Sequence, residues 1–279
     1  NESLNGIWNY KVIAEVYNQF NEKEQTWPYY SFYLYEDPSI NFSKRPQVQS
    51  YTQNSKSALF NGMINPIIPY NIKGSIWYQG ENNVSRFKEY ETLFPAMIKD
   101  WRKKWNSDFP FYFVQIAPFE NYNGLSSSLR NVQRKTLKVE KTGMVVTLDI
   151  GEIDDIHPSN KHDVGYRLAG LALSNDYGKP MVASGPLYKN FEVSGNTLNV
   201  TFDFIGSGLT SYDKELSAFE IAGADKKYVA AEAYIKNNKV YIYSSKIQNP
   251  KYARYAWKDT SVASLFNREG LPASTFTTE

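Results

Sequence analysis

Apolar positions along this chain recur with two different periods, and the change falls near Pro180. Between Ala58 and Gly178, short apolar runs alternate with stretches in which apolar residues return every three or four positions. The runs at Ile72–Tyr78, Phe111–Ala117 and Met144–Leu148 predict strands covered on both faces. Phe87, Tyr90, Leu93, Phe94, Met97, Ile98, Trp101 and Trp105 share one stripe and predict a helix, which Pro95 is expected to kink or break. Ser126–Glu140 predicts a second helix, capped by its own serine. Asn160–Ser174 predicts a third through Val164, Leu168 and Leu171, closing near Gly178. Strand followed by helix, three times over, predicts a parallel sheet with right-handed crossovers.

Beyond Pro180 the period becomes two. Thr197–Phe202 alternates, and Tyr234–Lys236 and Lys239–Tyr243 flank Asn237-Asn238, a hairpin signal. Ala218–Ile221 and Tyr255–Trp257 add strands, so residues 181–279 predict a small antiparallel β-sandwich. Residues 59–180 form the α/β domain. Residues 1–58 have no clear period beyond a possible helical turn or two at Val12–Phe20. They mix aromatics with Asn, Pro and Ser, as in Trp27-Pro28-Tyr29-Tyr30, and predict an irregular segment packing on the α/β domain. So long an irregular opening is uncommon in a domain. The expectation is that the fold begins outside this chain.

Composition narrows the function. The chain has 279 residues, 42% hydrophobic and 22% charged, enough for a packed core. Its 31 basic and 29 acidic side chains leave a net charge of +2, which argues against an electrostatic nucleic-acid binder. The 22 Tyr and 6 Trp suit the C–H faces of sugars as well as ordinary cores. The absence of Cys excludes disulfides, cysteine-ligated zinc and a cysteine nucleophile. No segment has the length of a membrane span, and Asn1-Glu2-Ser3 does not read as a signal peptide.

Two polar stretches carry the candidate chemistry. The first predicted strand runs into Gln79-Gly80-Glu81-Asn82-Asn83, and the third into an acidic loop, Asp149 to Asn160. Parallel strands deliver both to one edge of the sheet, where α/β folds bind ligands. The acidic loop holds His157, with Asp154 three positions and Asp155 two positions before it. A general base needs an imidazole with one nitrogen toward the reacting group and the other tied to an acceptor, and either aspartate can serve. Three other readings remain open. Gly80 and the asparagines are also turn residues, and the aspartates can simply cap backbone N–H groups. Glu152, Asp154, Asp155, His157 and His162 offer a donor set for a metal, though without the spacing of a known ligand motif. Glu81 with Asp154 or Asp155 could form the acid–base pair of a glycosidase. His162 falls inside the third helix and reads as a surface residue.

With these stretches in view, residues 58–279 resemble the sialate O-acetylesterases, carbohydrate esterases of the SGNH-hydrolase superfamily. The resemblance rests on Asn61-Gly62-Met63-Ile64-Asn65-Pro66, Lys73 to Asn83, Phe94-Pro95-Ala96-Met97-Ile98, Leu129-Arg130-Asn131-Val132-Gln133, Asp155-Ile156-His157-Pro158-Ser159-Asn160-Lys161 and Asn267-Arg268-Glu269-Gly270. It implies a flavodoxin-like SGNH sheet, incomplete at its N-terminal side, followed by the sandwich. It implies a serine-type esterase that removes O-acetyl groups from sialic acid or a related sugar, needing no cofactor. His157 becomes the base, and Asp154 or Asp155 its partner. Gln79, Gly80, Glu81, Asn83 and Arg130 become oxyanion-hole or substrate-binding residues. Acetylxylan is the alternative substrate. A non-catalytic carbohydrate-binding or structural fragment is the alternative class. A secreted, periplasmic or envelope location follows from the family's role. The family's serine lies in a Gly-Gln-Ser-Asn-Met motif that this chain does not contain. The resemblance therefore implies that another segment or chain supplies the nucleophile.

Overall fold

Three short runs of aromatic and branched residues form the parallel sheet that carries both polar stretches. The computed structural model describes residues 14–17, 31–34, 52, 55–68 and 70–279. The chain divides into two compact units, Asn1–Tyr70 and Asn71–Glu279. In the first, β1 (Ala14–Tyr17) pairs antiparallel with β2 (Ser31–Leu34). This corrects the helical turn expected at Val12–Phe20; the alternation Ala14-Glu15-Val16-Tyr17 has the period of a strand. The rest of the segment 1–58 assigned to packing on the α/β domain lies largely outside the described residues. A π-turn at Phe60–Ile64 and a 3-10 turn at Asn65–Ile67 close this unit.

The second unit opens with β3 (Ser75–Trp77), a 3-10 turn (Glu81–Arg86) and helix α1 (Phe87–Trp105). There follow β4 (Phe111–Val114), α2 (Ser126–Thr136), β5 (Thr142–Val145) and α3 (Lys161–Asn175). The sheet order is β3-β4-β5, parallel throughout, with Trp77 opposite Phe113 and Val114 opposite Val145. Alternate residues separate its two faces. Phe111, Phe113 and Met144 join the core under α1 and α2, while Tyr112, Val114 and Val145 pack with Val164, Leu168 and Leu171 of α3. Among the described strands β3 is an edge, and Ile76 is 69% exposed. The expectation of a strand buried on both faces is therefore not met at β3.

Two helices differ from expectation. Pro95 does not break α1. The carbonyl it leaves without a helical partner belongs to exposed Glu91, where water can replace the lost bond. Helix α2 stops at Thr136, short of the expected Glu140, and no serine caps it: its N-cap is Leu125, which makes no side-chain cap bond.

The remainder is β-rich. Strands β6 (Leu187–Ser194), β7 (Thr197–Asp203), β11 (Glu232–Lys236) and β12 (Lys239–Tyr243) make one antiparallel sheet, ordered β11-β12-β7-β6. β9 (Phe219–Ala222), β10 (Val229–Ala230), β13 (Tyr252–Tyr255) and β15 (Phe276–Thr277) make another, ordered β10-β9-β13-β15. β8 (Leu209–Thr210) pairs with β14 (Phe266–Asn267). Asn237 and Asn238 turn the β11–β12 hairpin with φ of 51° and 56°, as an Asn-Asn turn of primed type requires. One hydrophobic core runs through both parts, from Phe113 and Leu129 to Ile221, Tyr255 and Phe276. The β-rich part thus packs directly on the face of the sheet that carries α2.

Candidate active site

The Gln79-Gly80 bend is fixed from three sides. Gly80 is buried, with φ 155° and ψ −24°, a backbone that favours glycine. A Cβ there meets Ile116 Cγ2 at 2.9 Å, Gln133 Nε2 at 3.1 Å and Leu129 Cδ2 at 3.2 Å, so backbone and space select the same residue. Gln133 bridges the neighbouring strand ends. Its Nε2 donates to Val114 O at 3.2 Å and Gln79 O at 3.4 Å, and its Oε1 accepts from Ile116 N at 3.0 Å. The Tyr90 hydroxyl lies 3.3 Å from both Gln79 O and Gln79 Oε1. Gln79 Nε2 donates to Asn83 Oδ1 at 2.7 Å, and Asn83 N donates to Gly80 O at 2.7 Å. With its oxygen so engaged, the Asn83 amide keeps its two N–H donors for a ligand.

Glu81 follows at the start of the 3-10 turn, among three tyrosines whose hydroxyls it influences. Burial, reinforced by Glu81, pushes Tyr78 up to about 12. Burial dominates at Tyr90 too, which also rises to about 12, and it pushes Tyr122 still higher. All three remain neutral hydroxyls at physiological pH.

The acidic loop is held differently. Gly151 lies so close to the β4–α2 loop that a Cβ would come within 2.6 Å of Pro118 Cδ. Glu120 N donates to Ile153 O at 2.9 Å. Arg167 of α3 forks onto the Asp149 carboxylate and also donates to Val146 O at 2.7 Å. Glu152 accepts from the N–H and hydroxyl of Ser159, bonds that hold its carboxyl below the usual carboxylate range. The Asp155 carboxylate accepts from the backbone N–H of His157 at 2.7 Å.

The structure thus brings Asp155 to the main chain of His157, not to its ring. His157 and Asp154 are exposed, and among the described residues no hydrogen bond to the His157 ring forms from either aspartate. His162 projects from α3 with its side chain 88% exposed, beside Asp163. No group of three His, Asp or Glu side chains among the described residues converges enough to hold a metal ion. Residues flanking the two polar stretches come together. Lys161, the first residue of α3, sets its ammonium 5.1 Å from the ring centroid of Tyr78, which immediately precedes Gln79. Tyr78 and Ile150 pack against the same small core.

Arg130, expected among the oxyanion-hole or substrate-binding residues, is fully buried and faces the β-rich part. It donates to Thr275 Oγ1 at 2.9 Å, Ala256 O at 3.0 Å and Lys258 O at 2.7 Å. Burial lowers its pKa to about 10, with Asp259 opposing the shift, so it stays charged at neutral pH. Its Nε and Nη2 thus find protein acceptors, while the buried Nη1 has no hydrogen-bond partner among the described residues. The residues missed as site candidates are Gln133 and Tyr90. Gln133 stood in a motif beside Arg130, and only its position on α2 shows that it reaches Gln79.

Comparison with known proteins finds similar chains. Residues 45–174 match the family described as carbohydrate esterase, sialic acid-specific acetylesterase. The chain is 32% identical over 193 residues to the sialate O-acetylesterase of Mus musculus, covering 60% of this chain and 36% of that protein. It is 32% identical over 179 residues to the human sialate O-acetylesterase, covering 55% and 34%. A crystal structure of a carbohydrate acetylesterase from Xanthomonas citri superposes with a TM-score of 0.76 at 39% identity, over 79% of this chain and 54% of that one. The chain thus spans about a third of the curated relatives and about half of the structural neighbour. All three comparisons return the family that the motifs resemble: over the matched residues the chain is similar to sialate O-acetylesterases and to a carbohydrate acetylesterase.

Proposed function

We propose that this chain supplies the base and the oxyanion-hole side of a serine-type carbohydrate O-acetylesterase, acting on O-acetylated sialic acid or a related sugar. The observation that carries the reading is the pinned Gln79-Gly80 bend, with Lys161, four residues beyond His157, against Tyr78, which precedes the bend. In the proposed reaction a serine hydroxyl from a segment outside the described residues, or from a companion chain, attacks the acetyl carbonyl. His157 accepts its proton, and Asp154 or Asp155 orients the imidazolium once substrate and nucleophile are in place. The Gly80 N–H and the Gln79 or Asn83 amide face the oxyanion, where such donors contribute most to the rate. The imidazolium then protonates the departing sugar oxygen, and water releases acetate from the acyl-serine.

The open edge of β3 supports an SGNH-type sheet completed by further strands, and the antiparallel sheets after Leu187 support a β-sandwich beside it. No described helix is long and apolar enough to cross a membrane. An extracellular or envelope location accords with the relatives. The ring of His157, without a hydrogen-bond partner among the described residues, favours a second reading, a carbohydrate-binding or structural fragment without catalysis of its own. Acetate release by the complete protein separates these readings. Turnover of O-acetylated sialic acid above that of acetylxylan supports the favoured substrate. The reverse order transfers the reading to acetylxylan, and no release from either supports the non-catalytic one.

A further inference from the structure

We infer that Asp259, acting with Arg130 and Gln133, is a positioning residue: the β-rich part sets the geometry of the Gln79-Gly80 bend through helix α2. Helix α2 lacks a cap of its own. Asp259, itself buried, supplies one from 133 positions away. Its carboxylate accepts from Ser126 N at 3.0 Å, from the Ser126 hydroxyl at 2.6 Å and from Gly124 N, and its carbonyl accepts from Phe119 N at 3.2 Å. A carboxylate is the best-suited group for this place, because the first turn of a helix carries unpaired N–H groups and a positive dipole end.

The grip continues along the helix. Arg130, one turn on, reaches the carbonyls of Ala256 and Lys258 on the segment that carries Asp259. Beyond it, Gln133 holds Gln79 O, Val114 O and Ile116 N. Leu129, in the capped turn, is one of the three groups that close around Gly80. The helix is therefore held by residues 256–259 at one end and holds the bend at the other. Because Ser126, Ser127, Leu129, Arg130, Asn131, Val132, Gln133 and Thr136 are all buried, it has no free face along which to relax, and displacement of its first turn passes to Leu129 and Gln133. This role in catalysis rests on the bend belonging to the active site. The mechanical link is tested without any ester, so its failure and that of the proposed function are distinguishable.

Amide hydrogen exchange on this chain provides the test. Asp259→Ala is expected to speed exchange about fivefold to tenfold at Ser126 and Leu129, as a lost cap does, and to speed it also at Ile116 and Asn83. Amides of α3 keep their protection. Asp259→Asn retains one acceptor and is expected to give a smaller effect at the same four amides; it carries the comparison if the alanine variant does not fold. In a Gln133→Met background, the effect of the Asp259 change on Asn83 shrinks while that on Ser126 persists. Acceleration confined to the first turn of α2 overturns the inference. So does acceleration spread evenly over the chain, and so do Asp259 and Gln133 effects that simply multiply at Asn83.

Discussion

The two halves of the candidate site are built on opposite plans. The Gln79-Gly80 bend is buried, closed around by Ile116, Leu129 and Gln133, and tied by side-chain amides on both flanks. The His157 loop is exposed and shaped by carboxylates that accept from its own backbone, Asp155 from His157 and Glu152 from Ser159. In one half the scaffold dictates each atom's place. In the other, the scaffold anchors the loop at Asp149, Gly151 and Ile153, and beyond them the loop's own carboxylates shape it and leave the His157 ring exposed. For an esterase the difference has a physical sense. Donors for a developing oxyanion gain most from being fixed in advance, whereas a proton-transferring imidazole can tighten its bonds once substrate and nucleophile are present.

This contrast can be broken deliberately, and the largest effect is expected at Gly80. Gly80→Ala adds a Cβ in a positive-φ backbone against Ile116, and should cost about 4 kcal/mol of stability, strain and overpacking together. Denaturant unfolding of the 71–279 unit measures it; a loss below about 1 kcal/mol means the bend is not held as described. Arg130→Met comes next, at about 3 kcal/mol, because it leaves buried carbonyls and Asp259 without their cation. The same variant sharpens the assignment of Arg130. If it serves structure alone, surviving folded protein keeps its KM for the sugar ester, and a raised KM restores it to the substrate surface.

The loop should respond weakly in stability and strongly in position. Asp155→Ala is expected to change unfolding free energy by less than about 1 kcal/mol, the range for an exposed loop carboxylate. It should nonetheless shift the backbone amide resonance of His157. An unmoved amide would remove Asp155 from the loop's support. The smallest effect concerns pH. Glu152 has its carboxyl pKa lowered from 4.5 by Ser159, so the contribution of this contact is fully present above the ordinary range and is lost as pH falls through the depressed value. The Ser159 amide should titrate with a midpoint below pH 4.5. A midpoint at or above it contradicts the contact.

What could be read beforehand follows the same divide. Strand, helix and hairpin periods were legible because burial on one or two faces imposes them, as the stripe Tyr90, Phe94 and Ile98 on α1 and the Asn237-Asn238 turn show. That the Gln79-Gly80 and His157 segments both follow the carboxyl ends of parallel strands was legible because the three strands run the same way. The functions of Arg130, Gln133 and Asp259 were not. Each depends on a partner far away in sequence, such as Ser126 for Asp259 or Gln79 for Gln133, and no local spacing records such a pairing. The serine expected to cap α2 was misread for that reason: Ser126 is capped, and does not cap. At β3 the expected burial is not met among the described residues: the strand is an edge, and Ile76 stands exposed.

The central claim is that His157 acts as the base of an ester hydrolysis at the Gln79-Gly80 bend. It is tested most directly by acetate release from O-acetylated sialic acid, comparing the complete protein with its His157→Ala variant. The variant is expected to lose about a hundredfold to ten-thousandfold in turnover, the usual contribution of a positioned general base, with folding intact. Turnover by the variant equal to that of the unaltered protein would contradict it.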